Sequence, residues 1–328
     1  MIFLYTRIIS LVLPFAKASI LGCLIIQGCT DSVTDEKLDS EKVSGKILIV
    51  TTTTQVTDIV RRLVGDFCQI NPLMGPGVDP HLYKPTARDM TAITSADMVI
   101  YHGLKLEGKL AATLKNAHQI KTYAICSGIP KNHLIFSDGE ESSYPDPHVW
   151  FSPEIWISCM HNIALHLATE LPEYKKEIKQ RALSLEIEYQ EISMWAKSEV
   201  RSLPGNKRVL VTSHDAFRYF GDFFGVEVVA LQGISTIQEA GLGDRANLVD
   251  FINENNVSSV FVETSVNPKA LEEIAKETGI AIGPPLFSDT LGSEEDKSLG
   301  PNETFYPHDT WSGMMVYNVK SFVKAMNQ

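Results

Sequence analysis

Three histidines and one aspartate stand out by their settings. His81 lies in Val78-Asp79-Pro80-His81-Leu82-Tyr83-Lys84-Pro85-Thr86, and His148 in Pro145-Asp146-Pro147-His148-Val149-Trp150. Asp-Pro-His thus occurs twice, each time in a loop stiffened by proline. His214 follows Val211-Thr212-Ser213, just beyond a strand-like run, and Asp289 follows the apolar run that ends at Phe287-Ser288. Imidazole nitrogen binds borderline divalent ions such as zinc, and a carboxylate adds charge and suits harder ions such as manganese. Three neutral imidazoles and one carboxylate around M²⁺ leave a single net positive charge, far less costly to bury than the bare ion. His102, His118, His133, His161, His166 and His308 have no comparable setting; of these, His102, after the run Met98–Tyr101, is the one placed to stand behind a ligand. Glu263 ends an apolar strand and is expected to face the cleft beside the ligands. Tyr83 and Trp150 are expected to keep water out rather than touch an ion.

The elements that position these residues alternate. Lys46–Val50 is β-branched and ends in Thr51-Thr52-Thr53-Thr54; Val56, Ile59, Val60, Leu63 and Val64 then fall on one helical face. Met98–Tyr101, Val209–Thr212, Val226–Leu231 and Val257–Glu263 read as further strands, and Lys269–Thr278 as an amphipathic helix. Alternating strands and helices predict α/β halves with parallel sheets. Carboxyl ends of parallel strands open onto a ligand crevice, so two facing crevices could each supply two ligands. Pro172–Leu203 breaks the rhythm. It has no glycine and no internal proline, is rich in Glu, Lys, Leu and Ala, and repeats Ile178, Leu185, Tyr189, Ile192 and Trp195 at helical spacing. It predicts one stiff helix between the halves, ended by Pro204-Gly205.

The amino terminus reads as an export signal. Arg7 precedes an apolar stretch that Lys17 interrupts, so neither part reaches the roughly 20 apolar residues of a spanning helix. Ile26-Gln27-Gly28-Cys29 resembles a bacterial lipobox and makes Cys29 the expected lipidation site, because Thr30-Asp31-Ser32 turns polar at once; Ile20-Leu21-Gly22-Cys23 is a second candidate. The expected division is a lipoprotein signal peptide at 1–28, a flexible tether at 29–45, an amino-terminal α/β lobe at 46–171, the connecting helix at 172–203 and a carboxy-terminal α/β lobe at 204–328. Cys68, Cys126 and Cys159 remain, odd in number and without CxxC spacing; one disulfide or three buried thiols are both open. The formal charge of −11 comes without any cluster of Lys and Arg, which excludes a phosphate-binding surface and hence nucleic acid as a partner.

Six stretches carry a family resemblance: HLYKPTARD at 81–89, GLKLEGKL at 103–110, DPHVWFSP at 146–153, TSHDAFRYFG at 212–221, LQGISTIQEAGLGD at 231–244 and LFSDTLG at 286–292. They resemble the TroA-like solute-binding proteins of zinc and manganese ABC transporters, from about Lys46 to the carboxyl terminus. The resemblance implies two lobes joined by one rigid backbone helix, with the metal between them on His81, His148, His214 and Asp289. It implies a monomeric receptor, not an enzyme. The receptor would be periplasmic or on the cell surface, anchored to the membrane by a lipidated cysteine, and would pass Zn²⁺ or Mn²⁺ to a permease and ATPase. The choice of ion stays open: His214 stands where manganese members often carry Glu, yet residues 117–143, where many zinc members carry a His-rich loop, contain only His118 and His133. Two other classes compete with this reading. A zinc hydrolase would need an open metal position and a base such as Glu239, Asp215 or Glu263, and the chain has neither HExxH nor GxSxG. A surface adhesin has no support in the sequence beyond exposure. Because imidazole must be neutral to bind, affinity is expected to fall below pH of about 6.5.

Overall fold

A computed structural model describes residues 45–116, 119–136 and 144–328, with the side chains of 111, 112, 115 and 116 also left aside. The proposed signal peptide and nearly all of the tether, Cys23 and Cys29 included, lie outside the described residues. The first half runs β1 (Ile47–Thr51), α1 (Thr54–Val64), β2 (Cys68–Pro72), α2 (Ala87–Ser95), β3 (Met98–Tyr101), α3 (Gly108–Asn116), β4 (Lys121–Ala124) and α4 (Pro153–Glu170). The long helix α5 (Lys175–Arg201) follows. The second half runs β5 (Val209–His214), α6 (Arg218–Phe224), β6 (Glu227–Gln232), α7 (Leu242–Asn255), β7 (Ser259–Phe261), α8 (Lys269–Thr278) and β8 (Ala281–Ile282), then a hairpin of β9 (Lys297–Leu299) and β10 (Phe305–Pro307), and α9 (Trp311–Met326).

Among the described residues the two main sheets are parallel throughout and share one topology, β2-β1-β3-β4 and β6-β5-β7-β8. In each, the first strand has its successor on one side and the third strand on the other. That arrangement opens a crevice beyond the strand ends at the reversal point. Alternation along β3 explains the layering. Met98 and Ile100 point into the core shared with α4 and α5, while Val99 packs on the opposite face with Ile93, Leu110 and Leu114.

The connecting segment departs from a single uninterrupted helix. Pro172–Tyr174 is a 3₁₀ turn, and only Lys175–Arg201, 27 residues, is α-helical. At 1.5 Å per residue it spans about 40 Å. Nor is it a free-standing rod. Ile178, Ala182, Leu185, Tyr189, Ile192, Ala196 and Val200 form a buried stripe in one core that also contains α4 and α1 from the first half and α6 and α9 from the second. Polar ties join α1, α5 and α9 as well. Arg62 donates to both oxygens of Glu188 at 2.7 and 2.5 Å, Ser312 Oγ donates to Glu188 at 2.6 Å, and the Trp311 amide donates to Asp58 at 2.9 Å. Asp58 thus sits at the amino terminus of α9, where a carboxylate is favoured by the orphan N–H groups. Burial still raises Asp58 to about 6, with Arg62 opposing that rise.

α9 approaches β10 closely at Gly313, where a Cβ would lie 1.8 Å from the Pro307 carbonyl oxygen. Gly313→Ala is therefore expected to lower stability by roughly 1–3 kcal/mol through overpacking. Urea unfolding checks this; an unchanged midpoint would show that α9 can shift freely.

Candidate metal centre

The four predicted residues come from four separate segments. His81 lies in the loop between β2 and α2, and His148 immediately precedes a 3₁₀ turn, Val149–Phe151, that leads into α4. His214 is the last residue of β5, and Asp289 follows the bridge that Leu286 makes to Glu263 beyond β7. All four are buried, and one ligand atom from each falls within 4.8 Å of all the others.

The spacings match a four-coordinate ion. His81 Nε2 and His148 Nε2 are 3.3 Å apart, His148 Nε2 and Asp289 Oδ1 3.3 Å, His214 Nε2 and Asp289 Oδ2 3.2 Å, and His81 Nε2 and Asp289 Oδ2 3.8 Å. Donors about 2.05 Å from a tetrahedral ion stand roughly 3.3 Å from one another. Both Asp289 oxygens and His214 Nε2 are buried with no hydrogen-bond partner aligned to them among the described residues. Buried polar atoms rarely go unpaired. This donor set therefore fits a divalent cation.

Carboxylates behind the imidazoles fix their tautomers. Asp146 Oδ1 lies 2.7 Å from His148 Nδ1 and also accepts the His148 amide at 2.9 Å. Glu263 Oε2 lies 2.5 Å from His214 Nδ1, and its Oε1 accepts the amides of Ser213 and His214 at 3.0 and 2.9 Å. A carboxylate on Nδ1 leaves Nε2 directed at the ion and raises its basicity. Glu263 was expected near the ligands; Asp146 was not singled out. Its signal was the Asp-Pro-His motif itself, but the motif has two uses. Asp79 also accepts the amide of its histidine, at 2.8 Å, yet its other oxygen accepts from Thr236 Oγ1 of the second half at 2.6 Å.

These contacts set the charges. Burial disfavours protonation of His148, but Asp146 and Asp289 outweigh it and raise His148 to about 9. At His214 burial is likewise overcome, by Glu263 and Asp289, and the group is raised well above its ordinary value. Burial dominates at His81 and lowers it to about 3, with Asp289 opposing and the other two imidazoles assisting. Burial would raise Asp289, but His214 and His148 hold it well below the usual carboxylate range.

Trp150 and Tyr83 make no ligand. Tyr83 donates to Asp89 at 2.7 Å, tying the His81 loop to the start of α2. Trp150 does more than exclude water. Its ring stands edge-on to His148, 5.3 Å between centroids, and its Nε1–H donates to the Ser288 carbonyl at 3.1 Å, next to Asp289. Its own carbonyl accepts Trp311 Nε1–H at 2.7 Å. Further bonds clasp the Asp289 loop to the first half: Leu291 N to Thr54 Oγ1 at 2.8 Å and Gly77 N to Thr290 Oγ1 at 3.1 Å. Trp150→Phe keeps an aromatic ring but deletes the donor, and is expected to weaken metal binding roughly tenfold with the fold intact. Chelator competition with circular dichroism checks this; unchanged affinity would remove Trp150 from the positioning role.

His102 stands one layer behind, its Nε2 2.7 Å from the Pro147 carbonyl. The GLKLEGKL stretch supports that layer. Glu107 is buried and accepts from Thr52 Oγ1 at 2.8 Å and from the amides of His102 and Gly103 at 2.5 and 3.2 Å. Gly108, at φ +47°, lets the chain pass the His81 carbonyl, which a Cβ would meet at 2.8 Å.

Residues 49–325 match the family model described as "ZnuA: Zinc-uptake complex component A periplasmic". The chain is 36% identical over 316 residues to the manganese-binding lipoprotein MntA of Bacillus subtilis (strain 168), covering 94% of this chain and 97% of that protein. It is 34% identical over 288 residues to the zinc-binding protein TroA of Treponema pallidum (strain Nichols), covering 86% of this chain and 89% of that protein. The solved structure of the periplasmic zinc binding protein TroA superposes with a TM-score of 0.77 at 33% identity, covering 86% of this chain and 99% of that one. The chain therefore belongs to the family of periplasmic component A proteins of zinc-uptake complexes.

Proposed function

We propose that this protein is the solute-binding component of a metal ABC transporter. It captures Zn²⁺ or Mn²⁺ on His81, His148, His214 and Asp289 and passes the ion to a membrane permease driven by an ATPase. The observation that carries this reading is the convergence of four buried ligand atoms within 4.8 Å, two from each half of the chain. The site is complete within one chain, which supports action as a monomer. Both Asp289 oxygens face imidazoles, a placement that serves zinc through one oxygen and manganese through two. At equal free concentrations zinc is the tighter ligand by intrinsic order. Elemental analysis of protein purified without added metal, followed by zinc–manganese competition, tests the reading. One ion per chain is expected, with zinc displacing manganese; substoichiometric metal that Asp289→Ala leaves unchanged would sink it.

Hydrolysis is disfavoured by the carboxylates themselves. Glu263 is held by His214 and two amides, Asp215 pairs with Arg218 at 3.2 Å, and Glu239 lines a separate cleft that includes none of the four residues.

The protein acts outside the cytoplasm, held to a membrane by lipid on Cys29 through the 29–45 tether, with the transport lobes at 46–171 and 204–328 about the 172–203 connector. Relatives named as lipoproteins support this placement. Cys29→Ser is expected to release the chain from the membrane fraction, and the mass of the mature amino-terminal peptide checks it; lipid on Cys23 would move the anchor.

A further inference from the structure

We propose that Cys126 and Cys159 are joined by a disulfide in the exported protein, an inference that rests on the export reading above. Their Sγ atoms already touch, 3.6 Å apart, one just beyond β4 and the other on α4. Asn162, one helical turn past Cys159, donates to the carbonyls of Ile125 and Ser127 at 3.0 and 3.2 Å. Those carbonyls flank Cys126, so the two backbones are fastened together where the bond would form. Closing it moves the sulfurs together by about 1.5 Å, to an S–S length of roughly 2.05 Å. Cys68 has no such access. It lies on β2, at the opposite edge of the sheet from β4, and three strand spacings amount to about 14 Å. Of the pairings open in the sequence, the fold leaves one.

The oxidant is a disulfide, RSSR′, from a small molecule or an exchange protein. Cys159 borders a cleft of about 390 Å³ with Pro130, His133, Ser158 and His161, but both thiols are buried in the folded chain, so the exchange takes place before α4 packs. The Cys159 thiolate attacks RSSR′, forming a mixed disulfide and releasing R′S⁻. The Cys126 thiolate then attacks the Cys159 sulfur and releases RS⁻. The two cysteines are oxidised, RSSR′ is reduced, and the cysteine protons are balanced by those taken up as RSH and R′SH form. Burial pushes the Cys126 thiol well above its usual value, so the second step is slow in the folded chain and faster before α4 packs. The bond would close the ends of the segment that carries Asp146, His148 and Trp150.

The test uses the full chain with its own leader. Cells are quenched with N-ethylmaleimide in denaturant and the protein is digested with trypsin without reductant. Cleavage after Lys121, Lys131 and Lys175 places the cysteines in neighbouring peptides, 122–131 and 132–175. Expected are these two peptides joined and separable by reductant, with maleimide on Cys68. Free Cys126 and Cys159 on a chain processed at residue 29, or any bond to Cys68, overturns the proposal. Free thiols on an unprocessed chain overturn the export reading instead, and refolding with oxidised glutathione then decides the pairing: no joined peptides there also overturns it. The double variant C126A/C159A is expected to melt roughly 5–10 °C below the oxidised protein and close to the reduced one. A melting temperature insensitive to reductant overturns the proposal.

Discussion

Asp289→Ala is expected to lower metal affinity by well over the roughly 100-fold that loss of a partner behind a ligand typically costs. Asp289 is the only carboxylate of the four, and it faces all three imidazoles at 3.2 to 3.8 Å. Removing it deletes a ligand and leaves His148 and His214 with less compensation for positive charge. The fold should survive, because the loop stays clasped to the first half through Ser288, Thr290 and Leu291. Glu263→Gln should cost less, about 10–100-fold, because His214 remains a ligand and loses only its charged partner. Chelator competition on both variants checks the order. If Glu263→Gln proves as damaging as Asp289→Ala, the assignment of ligand and partner is wrong.

Metal uptake at neutral pH is expected to expel about two protons per ion. His148 is raised to about 9 and His214 is raised well above its ordinary value, while His81, lowered to about 3, is already neutral. Binding one doubly charged ion in place of two protons leaves the charge of the buried cluster unchanged, which suits a site enclosed by Asp146, Glu263 and Asp289. Affinity should therefore rise about tenfold per pH unit for each proton released, near hundredfold overall, and keep rising well past pH 6.5. That corrects the expectation of a fall only below about 6.5. An isolated imidazole sets that figure, whereas two of these three are paired with carboxylates. The stability linkage has the matching sign. A raised His148 stabilises the metal-free fold fully below about 6.5 and loses that contribution as pH rises through about 9. The gain in melting temperature on adding metal should thus widen from pH 6 to pH 9. Calorimetry in buffers of different ionisation enthalpy counts the protons; a count near zero at pH 7 would refute the charge assignment.

The four converging residues were legible because each sits in a setting that chemistry makes unusual: histidine after Asp-Pro in a loop, histidine just beyond an apolar run, aspartate after an apolar run. The strand at 98–101 and the helix at 269–278 were legible for the same reason that they fold, a clean apolar run or stripe, and the run 209–212 marked a strand that continues through Ser213 to His214. Other elements carry no such pattern. β2 reads Cys-Gln-Ile-Asn-Pro and β4 Lys-Thr-Tyr-Ala, both at sheet edges where one side needs no burial. α9 fails the opposite way. It is buried on nearly every side, from Trp311 through Met326, so it lacks the polar face that marks a helix. Asp146 was visible as a residue but not as a partner, because Asp79 occupies the same local motif and turns its second oxygen to Thr236 instead. Only the tertiary fold separates the two.

The duplicated strand order, β2-β1-β3-β4 and β6-β5-β7-β8, has a consequence for how affinity is read. Neither half owns more than two donors, so neither alone is a strong chelator. The second pair closes on the ion at an effective concentration fixed by how well the halves are aligned. That alignment is held at a distance, along the stripe of α5 that includes Ala182 and Ala196. A dissociation constant measured at the cleft thus acts as a strain gauge for the remote spine. Enlarging a small residue there should register as faster loss of cargo before it registers as unfolding.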